Sequence, residues 1–191
     1  MLVQRDSRLF WDILFRQNFD LSAQEIRVRF AGEAAADVGG PFREFLTLSM
    51  QRFGELSYLL IGEPGNFAFK QNPEALLQKK LFKLGQITAL SILFHGRGPE
   101  CLHPSIVRAL FNIGQPDVIE HINDAETETN LTKLEEGNID CLLDLNINPG
   151  LKDLKELKRI YFIASIIHNN FSSIEKFSQG IRSVSKYLGQ I

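Results

Sequence analysis

Residues 26–45 read IRVRFAGEAAADVGGPFREF, and their hydrophobic period changes halfway along. The first part alternates apolar with basic side chains, which is the pattern of a strand with one face on a core. From Phe42 onward the apolar residues follow helical spacing. Gly39 and Gly40 supply backbone freedom between the two parts, and Pro41 suits the first position of a helix. The stretch therefore predicts a strand, a tight turn and a helix that begins near Pro41.

Four charged side chains in this stretch lie among glycines and apolar residues rather than along a polar face: Glu33, Asp37, Arg43 and Glu44. Buried charges must be paired, so we expect Glu33 and Asp37 to cap or pair across the turn while Arg43 neutralises one of them. Loss of Asp37 or Arg43 should then destabilise the fold by about 2–4 kcal/mol. An acid/base cluster is the less favoured interpretation. Phosphate binding at the paired glycines is disfavoured too, because no Gly-Lys-Ser/Thr sequence follows them.

The spacing Gly-Glu-(x)3-Asp-x-Gly-Gly-x-x-Arg-Glu-Phe resembles the signature near the start of the HECT domain of ubiquitin ligases, in its amino-terminal lobe. The resemblance is clear at 26–50, weaker at 72–112 and 158–185, and broken between about 115 and 155. It is nearest to the divergent HECT domains of G2/M-phase-specific ligase-like proteins. It implies a structural motif of the lobe rather than a catalytic centre, made by Glu33, Asp37, Gly39, Gly40, Arg43 and Glu44.

Length and composition limit the classes of function. The chain has 191 residues, 44% of them apolar, which suffices for one sizeable core. Its net charge is −2 with both signs interspersed, so we expect protein partners rather than nucleic acid or a membrane. The longest apolar run, 84–94, is too short to cross a bilayer. No secretory signal precedes Arg5, and the two cysteines form no CxxC, which favours a cytoplasmic or nuclear location.

Short elements are predicted on both sides of a central helix. Helical spacing predicts an opening helix from Ser7 to Asn18. Two β-prone runs, 58–61 and 66–70, flank Gly-Glu-Pro-Gly and predict a small antiparallel hairpin. After the central helix, residues 103–111 resemble the short helix that HECT domains have at this point.

The central helix is predicted from Glu74 to His95, about 33 Å at the usual rise per residue. It is apolar nearly all round from 81 to 94, so we expect it to be buried. Gly85 and Ala89 cost helix propensity or side-chain volume, which indicates that another element approaches closely there.

The region from 115 to 150 is where the sequence departs from the family. Residues 115–137 predict two weakly amphipathic surface helices, and 138–150 predict a short connection. We expect its apolar residues to be buried anchors: Ile139, Leu142, Leu143, Leu145 and Ile147. Typical HECT domains insert here the small subdomain that docks the ubiquitin-conjugating enzyme (E2). The resemblance therefore implies that this subdomain is reduced or absent, and that E2 binding is weak or absent.

Two amphipathic helices are predicted to close the chain. The first has a wide apolar face over 154–167 and ends at Asn169-Asn170. Ser172 and Glu175 form a capping box that should open the second helix. Its narrow apolar stripe, 174–188, is suited to packing on a neighbouring helix.

Neither cysteine is predicted to be catalytic. Cys101 lies two residues before His103, a spacing that is weak evidence for a nucleophile and its base. Cys141 lies among apolar residues, as a buried inert thiol would. HECT ligases carry their thioester-forming cysteine in a separate carboxy-terminal lobe. The other three histidines are isolated: His95, His121 and His168. We therefore expect no catalytic, cofactor or metal site in this chain.

These observations predict a single, predominantly helical α+β domain over 1–191, similar to the large subdomain of a HECT amino-terminal lobe. The first functional hypothesis is a non-catalytic part of a HECT ubiquitin ligase whose catalytic lobe lies after Ile191. The second is a degenerate HECT-like module that acts as a protein-interaction scaffold. A hydrolase that uses Cys101 is a distant third. The expected partners are a catalytic lobe or another protein.

Overall fold

In a computed structural model, the chain is predominantly helical with short strands, as the sequence predicts for an α+β fold. The structure describes residues 1–5, 7–17, 26–33, 39–111, 113, 125–151 and 153–188. The chain divides into two compact units. The first comprises Met1–Leu56, Pro73–Glu100 and Lys176–Ile191, and the second comprises Ser57–Asn72 and Cys101–Glu175. One domain over 1–191 stays a prediction.

In the described residues, the short strands form two separate pairs among the helices. The elements are β1 Leu2–Val3, α1 Ser7–Arg16, β2 Arg29–Phe30, α2 Gly40–Gln51, β3 Leu60–Ile61, β4 Ala68–Phe69, α3 Pro73–Leu77, α4 Lys80–His95, α5 Pro104–Leu110, α6 Ala125–Glu135, α7 Asp140–Asp144, α8 Leu154–His168 and α9 Phe171–Leu188. Short 3-10 turns lie at Phe53–Glu55 and Pro149–Leu151. β1 pairs with β2 in parallel, and β3 pairs with β4 in antiparallel orientation, as the hairpin prediction required.

The strand observed within 26–30 is shorter than the alternating pattern of the sequence there, because its partner β1 is only two residues long. Its alternation is confirmed: Val28 and Phe30 are buried and Arg29 is exposed. Both edges of β1 are occupied. One pairs with β2, and on the other the Gln17 side chain accepts from the Leu2 amide and donates to the Leu2 carbonyl.

Helix α2 begins where the sequence predicts it, within one residue of Pro41. Gly39 precedes it with φ at 98°, a left-handed conformation that favours glycine. On the core side of α2, Phe45, Leu46 and Ser49 are buried. The strand, turn and helix order of 26–45 is therefore confirmed at its two described ends.

The prediction of a single helix from Glu74 to His95 is wrong, because the helix is interrupted between α3 and α4. Lys79 adopts a left-handed conformation, with φ at 55°. In one continuous helix Ala75 and Leu84, nine positions apart, would point about 180° away from each other. The break lets both side chains be buried.

The body of α4 is buried and crosses α9 at two glycines. A Cβ atom on Gly85 would overlap the carbonyl of Phe177 and lie 3.1 Å from the Cα atom of Gly180. A Cβ atom on Gly180 would overlap the carbonyl of Phe82. The close approach predicted from Gly85 is confirmed, since the two helix backbones touch with no side chain between them.

The last turn of α4 departs from the prediction of a buried helix. Ile92, Leu93 and Phe94 are exposed, by 37%, 53% and 56% respectively. Helix α2 and the body of α4 pack together through the buried face of each, but this packing does not cover the final turn of α4. Apolar composition alone therefore overstated the burial of this helix.

In the second unit, the β3–β4 hairpin is extended by a bridge from Phe67 to Leu102. The Phe67 amide donates to the Cys101 carbonyl, and the His103 amide donates to the Phe67 carbonyl, each over 2.8 Å. These bonds place Cys101 and His103 at the start of α5, the predicted short helix.

The second unit also contains helices α6, α7 and α8. α6 corresponds to the second of the two helices predicted in 115–137, and the first lies outside the described residues. Leu142 is buried, but Ile139 and Leu143 are 40% and 56% exposed. The prediction of five buried anchors in 138–150 is therefore wrong for these two, and Leu145 and Ile147 are only half-buried. Ile139 directly precedes α7 and Leu143 lies on it, and the five-residue helix packs its other side inward through Cys141 and Leu142.

The boundary between α8 and α9 lies at Asn169-Asn170, as predicted. The capping box is not formed as predicted, because α9 begins at Phe171, before Ser172. The Ile174 amide already donates to the Asn170 carbonyl, 3.0 Å away, so the first helical hydrogen bond precedes the predicted cap.

Candidate functional site

The charged motif is organised by a residue outside it, Arg5. Arg5 follows β1, whose pairing with β2 places the guanidinium beside the turn after Phe30. Its Nη2 atom donates to Glu33 Oε2 over 3.1 Å and to Glu44 Oε2 over 2.9 Å, while Nε and Nη1 donate to the other oxygen of each carboxylate. The guanidinium carbon lies 4.0 Å from the centre of the Phe30 ring. We call Arg5, Glu33 and Glu44 the Arg5 clamp.

The Arg5 clamp joins three segments of the first unit. Glu33 ends the turn that follows β2, where its amide donates to the Phe30 carbonyl over 3.2 Å. Glu44 lies in the first half of α2. One planar cation with five donors therefore ties the segment after β1 to the turn and to the helix.

The clamp is ionic and largely exposed. The side chains of Arg5, Glu33 and Glu44 are 43%, 39% and 43% exposed. Hydrogen bonds from Arg5 lower the pKa of the Glu33 and Glu44 carboxyls. The same bonds, first to Glu44 and then to Glu33, raise the pKa of Arg5. Both carboxylates therefore stay ionised at neutral pH, which makes them unsuited to donating a proton as general acids.

The remaining motif residues are placed less centrally. Gly39 and Gly40 are exposed at the start of α2, and the exposed Arg43 lies in its first turn. The expectation that the motif charges are buried is wrong for Glu33, Arg43 and Glu44, because solvent reaches each of them. Asp37 lies outside the described residues. The pairing expected between Asp37 and Arg43 stays a prediction.

Sequence reasoning missed Arg5, the residue that brings Glu33 and Glu44 together. Its only signal was position: a basic residue two positions after the short apolar run Leu2-Val3. Nothing in the spacing of the motif indicated that a residue 28 positions before Glu33 would bind it.

Cys101 and His103 do not form an activated pair. His103 is fully buried and caps α5, with its Nδ1 atom accepting from the Ser105 amide over 3.1 Å. Its ring meets Phe162 edge-on, with the ring centres 5.8 Å apart. Burial raises the pKa of the Cys101 thiol to about 11. A thiol with so high a pKa is protonated at neutral pH and is a poor nucleophile.

Cys141 is also inert in its surroundings. It is buried on α7, and its Sγ atom lies 3.9 Å from the Asn130 carbonyl oxygen on α6. Burial raises the pKa of this thiol as well. Neither cysteine therefore has the depressed pKa and open surroundings that a thioester-forming residue needs.

In the described ranges, no group of three or more His, Cys, Asp or Glu side chains is placed to hold a metal ion. His121 lies outside those ranges. Nor does any helix in the part of the chain that the structure describes have the length and apolar character to span a membrane.

Compared with models of known protein families and with curated proteins, the chain matches none.

Proposed function

We propose that this chain is the non-catalytic amino-terminal lobe of a HECT-type E3 ubiquitin-protein ligase, an enzyme that transfers ubiquitin to protein substrates. The observation that carries the proposal is the local structure of the signature stretch. A strand, a turn and a helix follow in the order that the resemblance implies, and Glu33 and Glu44 of the signature share one guanidinium. In this role the motif is a structural part of the lobe.

The thiol chemistry supports a lobe that acts with a separate catalytic partner. Both cysteines have raised pKa values, and His103 uses its Nδ1 atom to cap a helix. The thioester-forming cysteine would therefore belong to a carboxy-terminal lobe after Ile191. The proposed location is the cytoplasm or the nucleus, where ubiquitin ligases of this family act.

A protein-interaction scaffold without ligase activity is the second candidate. The observation that favours it is the short 138–150 connection, which holds only the five-residue α7 and a 3-10 turn. A stable protein interface buries about 800 Å² on each partner. Ile139 and Leu143 are exposed but offer much less than this, so we propose that E2 binding is weak or absent.

The sequence of the full-length transcript separates the two candidates. A downstream lobe with a His-Thr-Cys-type motif supports the ligase. A transcript that ends without such a lobe supports the scaffold. For E2 binding, we would titrate the isotopically labelled chain with a panel of E2 enzymes. Saturable shifts in 138–150 at about 1–10 µM would contradict weak binding.

We predict that the chain alone forms no thioester with ubiquitin, because both thiols are protonated at neutral pH. To test this, the chain is incubated with activating enzyme, E2 and ubiquitin, and the products are separated with and without dithiothreitol. A dithiothreitol-sensitive adduct would contradict the prediction. Cys101→Ser and Cys141→Ser would then show which thiol formed it.

A further inference from the structure

The short connection between α3 and α4 departs from local preference in two ways. We call its residues, Gln78 and Lys79, the α3–α4 junction. Lys79 adopts a left-handed conformation, with φ at 55° and ψ at 26°. A residue with a side chain disfavours that conformation about tenfold. Leu77, directly before the junction, is 84% exposed, more than any other large apolar side chain in the described ranges. Such conflicts are expected at strained or functional sites.

The sequence on both sides of the α3–α4 junction fits one continuous helix. In such a helix, Leu77 would lie within about 40° of both Leu81 and Leu84 around the helix axis. Those two leucines are fully buried, so Leu77 would join the centre of their buried stripe. Ala75 would then point away from the stripe. The interruption therefore buries an alanine and exposes a leucine, which the hydrophobic effect alone disfavours.

Contacts in the segment before α3 favour the interrupted form. The chain enters the first unit at Pro73, directly after Asn72. The Asn72 side chain donates to the Tyr58 carbonyl over 3.0 Å, and the Lys70 amide donates to the Leu59 carbonyl over 2.7 Å. These bonds hold the segment from which α3 starts, so they oppose a change in the direction of α3.

We infer that α3 and α4 form a two-state element, with the interrupted form as the major state and one continuous helix over 74–95 as the minor state. In the continuous form Lys79 takes ordinary helical angles, Leu77 joins the stripe of Leu81 and Leu84, and α3 extends α4 along its axis. A molecule that binds one form better than the other would shift the direction of α3. This inference does not depend on ligase activity.

Spin labels on Glu74→Cys and Leu93→Cys distinguish the two forms by double electron–electron resonance. Both positions are exposed, and Cys101→Ala with Cys141→Ala confines the labels to the introduced cysteines. A continuous helix separates the two labelled positions by about 28 Å. The interrupted form bends the path and gives a shorter distance. We expect the full chain to show a major population at the shorter distance and a minor one at the longer distance.

Substitutions at the junction should shift the ratio of the longer to the shorter distance in opposite directions. Lys79→Gly should lower it about tenfold or more, because glycine accepts the left-handed conformation and weakens a continuous helix. Leu77→Ser should lower it too, because serine gains nothing from joining the stripe. Lys79→Val should raise it several-fold, because a β-branched residue resists positive φ most strongly. Gln78→Ala is the matched control and should change it by no more than about twofold.

Two outcomes would overturn the inference. The first is a single, short distance in Lys79→Val, because the left-handed lysine would then be a fixed bend with no second form. The second is a longer-distance population that Lys79→Gly and Leu77→Ser both leave unchanged. Circular dichroism checks that each variant folds. Lys79→Thr, which is also β-branched, takes the place of Lys79→Val if the valine variant does not fold.

Discussion

The α4–α9 crossing and the Arg5 clamp both lie in the first unit, and both depend on glycines or charges visible in the sequence. At the crossing, Gly85 and Gly180 are buried and the two helix backbones touch. At the clamp, all three side chains are more than a third exposed. Water can replace the partners of an exposed ion pair, but nothing can replace a backbone contact that a new Cβ atom would break.

The comparison shows that the residues most recognisable in the sequence need not be those that contribute most to stability. The motif residues around 33–44 are the most recognisable part of the chain, yet solvent reaches Glu33, Arg43 and Glu44. Gly85 belongs to no recognisable motif and lies where no other residue fits. We therefore expect the crossing to contribute far more to stability than the exposed charges of the motif.

The largest effect is expected from Gly85→Ala or Gly180→Ala. Each added methyl group overlaps a backbone carbonyl of the opposite helix, so the helices must separate. We expect a loss of about 3 kcal/mol or more, at or above the top of the usual range for overpacking. The gain in helix propensity from glycine to alanine, about 1 kcal/mol, is too small to offset it. Urea denaturation followed by circular dichroism measures the loss.

Gly40→Ala is the matched control for those two variants. Gly40 belongs to the motif and begins α2, its φ is not positive, and a Cβ atom there has no neighbour within 4 Å. We expect a change within about 0.5 kcal/mol. If Gly40→Ala destabilised the chain as much as Gly85→Ala, the contrast between the two regions would be wrong.

A smaller effect is expected from Arg5→Ala, which removes the cation of the clamp. The two carboxylates that remain can be hydrated, so the loss at about pH 7 should be below about 1 kcal/mol. The pKa values of both carboxyls are lowered in the folded chain. The stabilisation is therefore present above about pH 4.5 and is lost as the pH falls through the lowered pKa values.

Urea denaturation of the unaltered chain and Arg5→Ala at about pH 7 and about pH 3 measures this dependence. The difference between them should shrink at the lower pH, and also at about 1 M salt. Arg5→Lys is the control that keeps the charge and loses the forked geometry. A difference of about 3 kcal/mol at neutral pH would mean that the clamp is as important as the crossing.

The smallest effect is expected from Arg43→Ala. The sequence predicted a loss of about 2–4 kcal/mol on the assumption of a buried charge pair. Because Arg43 is exposed on α2, we expect a change within about 0.5 kcal/mol. A loss of about 2 kcal/mol in urea denaturation would restore the original expectation.

Local patterns predicted local structure well. The alternation before Phe30 and the glycines before Pro41 specify a strand and the start of a helix, since both depend on neighbouring residues alone. Turn chemistry likewise specified the hairpin between β3 and β4. The mid-helix position of Gly85 also predicted a close contact. A glycine there lowers helix stability, and this cost is tolerated where close packing requires it.

What the sequence could not show was which distant residue completes each contact. Gly180 faces Gly85 from 95 positions away, and Arg5 binds Glu44 from 39 positions away. Burial was overestimated for the same reason: Phe94 and Leu143 follow apolar patterns, but coverage depends on where other elements end. The break at Lys79 arises because Ala75 and Leu84 must both reach the core.

A double-mutant cycle on Gly85→Ala and Gly180→Ala tests the central claim, that the two helices touch directly at these glycines. If both residues sit at one crossing, the first substitution already separates the helices and the second costs less. We predict that the double variant is more stable than the sum of the single losses implies, by about 1 kcal/mol or more. Additive losses, within about 0.5 kcal/mol, would contradict a shared contact.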